Sequence, residues 1–233
     1  EYRRQRQMCI RDRSSYLMVN NLNNLKTEKT AQLDIGFEQQ HGAWNTWASA
    51  YAGLINDFIL VRYNAPNASQ MYPLANNVDA TIAGAEAGVG YQFNEHLQAD
   101  LSAMYAWGEN TTDNKPLPQI APLEGRLNLR YVQEKYSLGL LWRAVAEQNR
   151  ISLNDGNIVG YDMGKSKAFS TLAMNATYKY SEALDFSVGI DNLLDKAYSE
   201  HLNKSGAALF GYAANEQFNN IGRNYWARVS MKF

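Results

Sequence analysis

Residues 184–203, LDFSVGIDNLLDKAYSEHLN, begin as a strand and then stop being one. Phe186, Val188 and Ile190 alternate with Ser187, Gly189 and Asp191, a period of two that sorts residues onto opposite faces of a sheet. The turn-prone run Asp191, Asn192, Asp195 and Lys196 then breaks the pattern, and no period returns until Tyr225. A greasy strand running straight into a long polar segment needs a reason.

The same unit recurs along the chain. Ala31, Leu33, Ile35 and Phe37 alternate with Gln32, Asp34, Gly36 and Glu38. Ala85, Ala87, Val89, Tyr91 and Phe93 oppose Gly84, Glu86, Gly88, Gly90 and Gln92. Leu97, Ala99, Leu101, Ala103, Tyr105 and Trp107 oppose Gln98, Asp100, Ser102, Met104, Ala106 and Gly108. Further runs centre on Leu129, Leu138, Leu140, Ala176 and Val229. Helical spacing of three and four is missing from these segments, so they read as strands. Residues 44–61 are ragged because Trp44 and Trp47 break parity, and a bulge or mixed face is expected there. The count is about nine antiparallel strands, an all-β fold.

The connections choose the architecture. QQHGAW, QFNEHL, VQEKYS and YSEALD are tight bends of the hairpin kind. The links between those hairpins, residues 62–78, 110–123, 148–167 and 197–223, are long. Strict alternation of short and long links sends every long loop to one end, as in an outer-membrane barrel with short periplasmic turns and long extracellular loops. The opening strand thus leaves the bilayer at residues 191–195, and the polar run beyond it is an extracellular loop.

Composition is compatible with this reading and excludes others. The mean hydropathy of −0.45 looks soluble, and no apolar run reaches the roughly 18 residues of a transmembrane helix. A barrel wall is apolar only at every second position and escapes such scans. A net charge of −1 gives no reason to expect a nucleic-acid partner. The single cysteine, Cys9, lies in the basic, aperiodic opening EYRRQRQMCIRDR, so no disulfide framework or zinc-thiolate site is available. Residues 1–13 read as a non-native or disordered leader and residues 14–233 as the structured part.

Tyr105 and Trp107, Tyr178 and Tyr180, and Tyr225 and Trp226 fall at strand ends, where an interfacial aromatic girdle belongs. Arg126, Asn128, Arg130, Arg143, Asp185 and Lys232 share the polar parity that would line a wet lumen. The last strand alternates back from Phe233 through Met231, Val229, Ala227 and Tyr225. A terminal aromatic on such a strand resembles the C-terminal signal of bacterial outer-membrane proteins, which is read by the barrel-assembly machinery.

With these residues in view, the chain resembles the C-terminal part of TonB-dependent outer-membrane receptors. TEKTAQLDIGFEQQ, VDATIAGAEAGVGYQF, PLPQIAPLEGRLNLRY and VGIDNLLDKAYSEHLN are each similar to barrel segments of that family, the last most specifically. EQNRISLNDGNIVGYDMGKSKAF, YSEHLN and GRNYWARVSMKF resemble the TonB-dependent copper receptor subfamily. The resemblance implies a 22-stranded transmembrane β-barrel closed by an N-terminal plug, in the outer membrane of a Gram-negative bacterium. It implies contact with outer-membrane lipid and uptake driven through the TonB complex by way of the N-terminal part. Nine strands and no plug make this sequence a C-terminal fragment of such a barrel. Copper or a copper complex is the implied cargo. A ferric siderophore or another scarce nutrient is the alternative, and a passive porin or adhesin barrel the alternative of another class.

Reduced copper favours thioether and thiolate ligands, with imidazole as a borderline partner. The loop candidates are Met71, Met163 and His201, and no Met-x-Met or His-x-Met pair joins them. A lone histidine in SEHL more often caps or packs than binds metal. In the copper subfamily the tight ligands are expected upstream, and no cofactor is assigned to this chain. His41 and His96 fall at short turns. Asp155 and Asp162 do not match a twelve-residue calcium loop and suit turn formation better. Ser199 lies near His201 in sequence but lacks an oxyanion device, and no Gly-x-Ser-x-Gly elbow is present, so an enzyme is not expected.

Overall fold

The computed structural model describes residues 22–63, 73–203 and 217–232; the leader 1–13, Met71 and Phe233 lie outside the described residues. Among the described residues the elements are a short 3-10 helix (Leu22–Asn24) and eleven strands. In order they are β1 (Lys29–His41), β2 (Trp44–Arg62), β3 (Leu74–Gln92), β4 (Leu97–Asn110), β5 (Lys115–Pro116) and β6 (Glu124–Val132). There follow β7 (Tyr136–Val145), β8 (Asp155–Gly156), β9 (Phe169–Ser181), β10 (Leu184–Asp191) and β11 (Asn224–Met231). The nine long strands pair antiparallel in chain order, β1-β2-β3-β4-β6-β7-β9-β10-β11. These are the nine expected. The two-residue strands β5 and β8 are additional and lie within long loops, adding to β4 and β2. β1 and β11 each have one neighbour, so the sheet is an open arc of wall.

The register sorts the two faces. Leu33 pairs with Ala52, Ala52 with Ala83 and Ala83 with Trp107. Leu101, Leu127, Trp142 and Leu172 form a second continuous apolar row. One residue along, Ser102, Arg126, Arg143 and Thr171 form a polar row on the other face. The apolar face is uncovered: Leu33 is 70% exposed, Ile35 64% and Val229 63%. So extended an apolar surface marks an interaction with lipid or protein rather than with water.

The burial that does exist sits at the long-loop end. Val61 and Ala75 pack with Leu25, Ile59, Tyr63 and Ile158, and Ile55, Ala80 and Leu117 pack with Phe58, Ile82 and Ile120. Loops folded back over β2, β3 and β4 supply Leu117, Ile120 and Ile158. β2 and β3 are 19 residues each, about twice the 9–11 needed to cross a bilayer, so their loop-side halves project beyond it. β3 begins at Leu74, which shortens the first long link expected from the sequence.

The ragged strand resolves into two separate features. The bulge falls between Ile55 and Phe58, with Asp57 at a φ of 58°, not at the tryptophans. Register through Trp44 and Trp47 is unbroken, and Trp47 lies on the polar face over Gly88, where a Cβ would come 2.5 Å from its indole nitrogen. Tyr51 covers Gly84 in the same way. Trp226 corrects the girdle assignment: it pairs with Gly189 on the polar face and its ring occupies the space over that glycine. Aromatic contacts concentrate at the short-turn end, with Trp44 4.4 Å from Tyr91, and Tyr91 4.9 Å from Phe93.

Candidate functional site

The polar run after β10 is a built turn. Asn192 and Asp195 take positive φ values of 48° and 53°, a conformation Asn and Asp tolerate better than other non-glycine residues. The Asn192 side chain accepts from the Lys196 N–H and donates to the Lys196 carbonyl, both at 2.9 Å. Asp195 Oδ1 accepts from the Arg223 N–H at 2.8 Å, returning the chain so that Asn224 starts β11 opposite Asp191. Two short polar residues thereby close the neck of the longest loop.

The segment beyond this turn is fixed by three consecutive devices. Tyr198 lies 4.3 Å from Phe169, ring to ring. Glu200 accepts from Arg143 Nη1 at 2.5 Å, and the same guanidinium donates to Glu124 at 2.6 Å and sits 5.4 Å over the Phe169 ring. His201 turns inward, its Nε2 3.4 Å from Asp162 Oδ1. Asp162 is 1% exposed and His201 3%.

Asp162 is the hub of the loop cluster. Its carboxylate accepts from the Gln119 N–H at 3.0 Å, the Gln119 side chain at 3.1 Å and the Ser152 N–H at 2.9 Å. Burial pushes its carboxyl upward, but the His201 contact and these donors outweigh it and hold it below the usual carboxylate range. Three long loops therefore meet on one side chain. The first loop joins through Tyr63, which stacks on Tyr161 at 4.4 Å and donates to the Asn157 carbonyl at 2.5 Å. Burial, then the neighbouring Tyr161, push the Tyr63 hydroxyl up to about 12. Arg62 binds Asp113 and lies 3.9 Å from Asp155, whose other oxygen accepts from Ser152 Oγ at 2.6 Å.

Beneath the last loop lies a cavity of about 630 Å³, bounded by Arg143, Thr171, Asp191, Asn203 and Phe218. Thr171 and Asp191 place it on the polar face. Asn203, Asn220 and Gln217 spend their side chains stitching this loop to itself.

Of the sequence candidates, His201 is at the hub and Met163 is half-buried next to Asp162 in the chain. Asp155 and Asp162 accept donors from loop residues, consistent with a structural job. Ser199 donates to Asn219 at 2.8 Å while His201 turns to Asp162, so the two form no nucleophile–base pair. Among the described residues no group of three or more His, Cys, Asp or Glu could hold a metal ion. Gln119, Arg143 and Glu200 were not singled out as site residues from the sequence, because a hydrogen bond between distant loops leaves no local pattern.

The family model described as TonB dependent receptor-like, beta-barrel matches residues 11–193. Among solved structures, Copper transporter OprC shares 44% identity at a TM-score of 0.86, over 92% of this chain and 32% of that one. The FrpB iron transporter from Neisseria meningitidis (F3-3 variant) is 19% identical at 0.66, over 90% and 31%. A mutant of the ferric enterobactin receptor PfeA from Pseudomonas aeruginosa is 18% identical at 0.69, over 92% and 32%. The last two show likeness of fold alone. The chain spans about a third of the length of these proteins. No curated protein sequence matches.

Proposed function

Because the chain belongs to the TonB-dependent receptor β-barrel family, we propose that it forms the C-terminal wall of an outer-membrane uptake receptor whose cargo is copper or a copper complex. The observation that carries the copper reading is the 44% identity to a copper transporter, against 18–19% for the iron transporter and the ferric enterobactin receptor of the same fold. In this reading the apolar face meets lipid, the polar face lines a water-filled interior and the tied loops form the outer mouth. The protein acts as a transporter rather than an enzyme, and TonB engages the part of the receptor that precedes this chain.

Met163 and His201 are the soft and borderline donors at this mouth; Met71, the third candidate, lies outside the described residues. His201 presents Nε2 to Asp162, which leaves its Nδ1, without a hydrogen-bond partner, as the nitrogen for copper, with the carboxylate orienting the ring. Tyr225, Ala227, Val229 and Met231 present the outward row of β11 that, with Phe233, serves as the signal for the assembly machinery.

Growth of a strain lacking the gene tests the cargo. Under copper limitation it grows more poorly than its parent, while iron limitation leaves the two alike. A defect confined to iron limitation moves the assignment to the ferric siderophore reading. Full-length protein that conducts passively in planar bilayers would reject energy-coupled uptake altogether.

A further inference from the structure

A second cavity, about 310 Å³, opens at the long-loop rim where the chain enters β9 and leaves β10. Lys165, Lys167 and Lys196 line it, and Phe169 and Tyr198 contribute the aromatic pair of its wall. Ser199, Gln217 and Asn219 complete a polar lining.

The lysines are placed by the fold. Gln148 and Ser166 form an isolated antiparallel bridge with both backbone hydrogen bonds made, at 3.1 and 3.2 Å. Alternation about a bridged residue puts Lys165 and Lys167 on one side, opposite buried Ser166. The Asn192–Lys196 turn fixes the backbone of the third lysine across the cavity.

Among the described residues none of the three lysines makes an ion pair, and the adjacent carboxylates are committed elsewhere. Asp195 accepts from the Arg223 N–H, and Glu200 is held by Arg143. Ser199 donates to the Asn219 amide oxygen, which leaves the amide NH2 as that side chain's donor end.

From this geometry we propose that the cavity binds a phosphate-bearing anion. Lysine ammoniums bind phosphate as point charges, and hydroxyl and amide donors supply direction. A volume near 300 Å³ lies at the small end of ligand sites and suits one or two phosphate groups. The assignment goes beyond the cargo reading and holds whether the receptor carries copper or iron. Phosphate can arrive as a free anion or as a lipid headgroup, so both sources are tested.

The experiment uses the full-length receptor in detergent. Calorimetric titration with inorganic pyrophosphate is one arm. Retention of diphosphoryl lipid A from bicelles, against the dephosphorylated lipid, is the other. Pyrophosphate binds and weakens with added salt, as exposed charges require. The K165Q/K167Q/K196Q variant loses at least about tenfold in affinity, the fold-change expected for losing roughly 1.4 kcal/mol. Lys135→Gln, at the short-turn end, binds as the parent does. Lysine-dependent retention of the phosphorylated lipid without pyrophosphate binding supports the site with a headgroup as occupant. Binding in neither arm, or binding indifferent to the triple substitution, overturns it. Heat-dependent gel mobility confirms that each variant is folded, and the copper-limitation assay reports separately on cargo.

Discussion

A single carboxylate explains how loops on an open wall hold a fixed arrangement. Asp162 gathers donors from its own loop and from one other, and faces a buried histidine from a third. A hydrogen bond to a charged group contributes about 1.5–3 kcal/mol, and leaving its partners buried and unsatisfied costs at least that much. Asp162→Ala is therefore expected to speed amide exchange at Gln119 and Ser152 by about ten- to a hundredfold, with the wall strands unaffected. Unchanged exchange in those two loops would reject the hub. The sign of the pH effect follows from its lowered carboxyl pKa. A group depressed in the folded state contributes fully above its ordinary value and loses that contribution as pH falls through the folded one. The tie should thus persist from neutral pH down to about pH 4, the ordinary aspartate value, and open only below it. Pepsin cleavage within residues 146–168, followed as acidity increases, measures this; cleavage already present near the upper limit would contradict it. The sequence marked Asp162 as a turn former and His201 as a loop candidate for copper that more often caps or packs. Their meeting was illegible, because contacts across loops have no period.

At the level of the strand, legibility reversed: the nine wall segments could be read because each repeats a two-residue period, and the misread features are those where a large ring breaks it. Trp47 and Trp226 look like lipid-facing residues out of place, yet each covers a glycine on the polar face. The signal was present as Gly84, Gly88 and Gly189, but only the cross-strand register says which ring lies over which glycine. Gly88→Val forces the Trp47 indole away, and overpacking of this kind costs about 1–3 kcal/mol. Its heat-modifiable gel shift should therefore occur at lower temperature than in the parent protein, and an unshifted transition would mean the ring moves freely. The faces themselves are separable by a matched pair of substitutions in β4. Leu101 belongs to the apolar row, and its neighbour Ser102 to the polar row. Leu101→Arg is expected to lose about 2–4 kcal/mol in a bilayer, whereas Ser102→Arg stays close to the parent. Folding yields into lipid vesicles report the difference; equal yields would mean that neither face meets hydrocarbon.

For the molecule as a whole, two properties point the same way: an uncovered apolar face and a loop cluster confined to one end. The nine wall strands pair with one another only in chain order, and edges remain at β1 and β11. Paired edges and a lipid solvent would remove both liabilities at once, which is what a complete barrel in an outer membrane provides. The arrangement then has a direction. The four bends beyond His41, Gln92, Val132 and Ser181 are short, and the links beyond Arg62, Asn110, Val145 and Asp191 are long, with ties between their described residues. A barrel inserted from the periplasm carries its long loops across, so Asn114 and Val159 should be outside the cell, and Glu95 and Glu134 inside. Val159 and Glu95 are both well exposed, so differences in reactivity between them reflect sidedness rather than burial. Single cysteines at these four positions in the full-length receptor, with Cys9 replaced, can be probed on intact cells with a membrane-impermeant maleimide. Positions 114 and 159 should react at once, and positions 95 and 134 only after the outer membrane is permeabilised. Immediate reaction at 95 and 134 would invert the molecule, placing the Asp162 hub and the lysine-lined cavity where no external cargo or anion could reach them first.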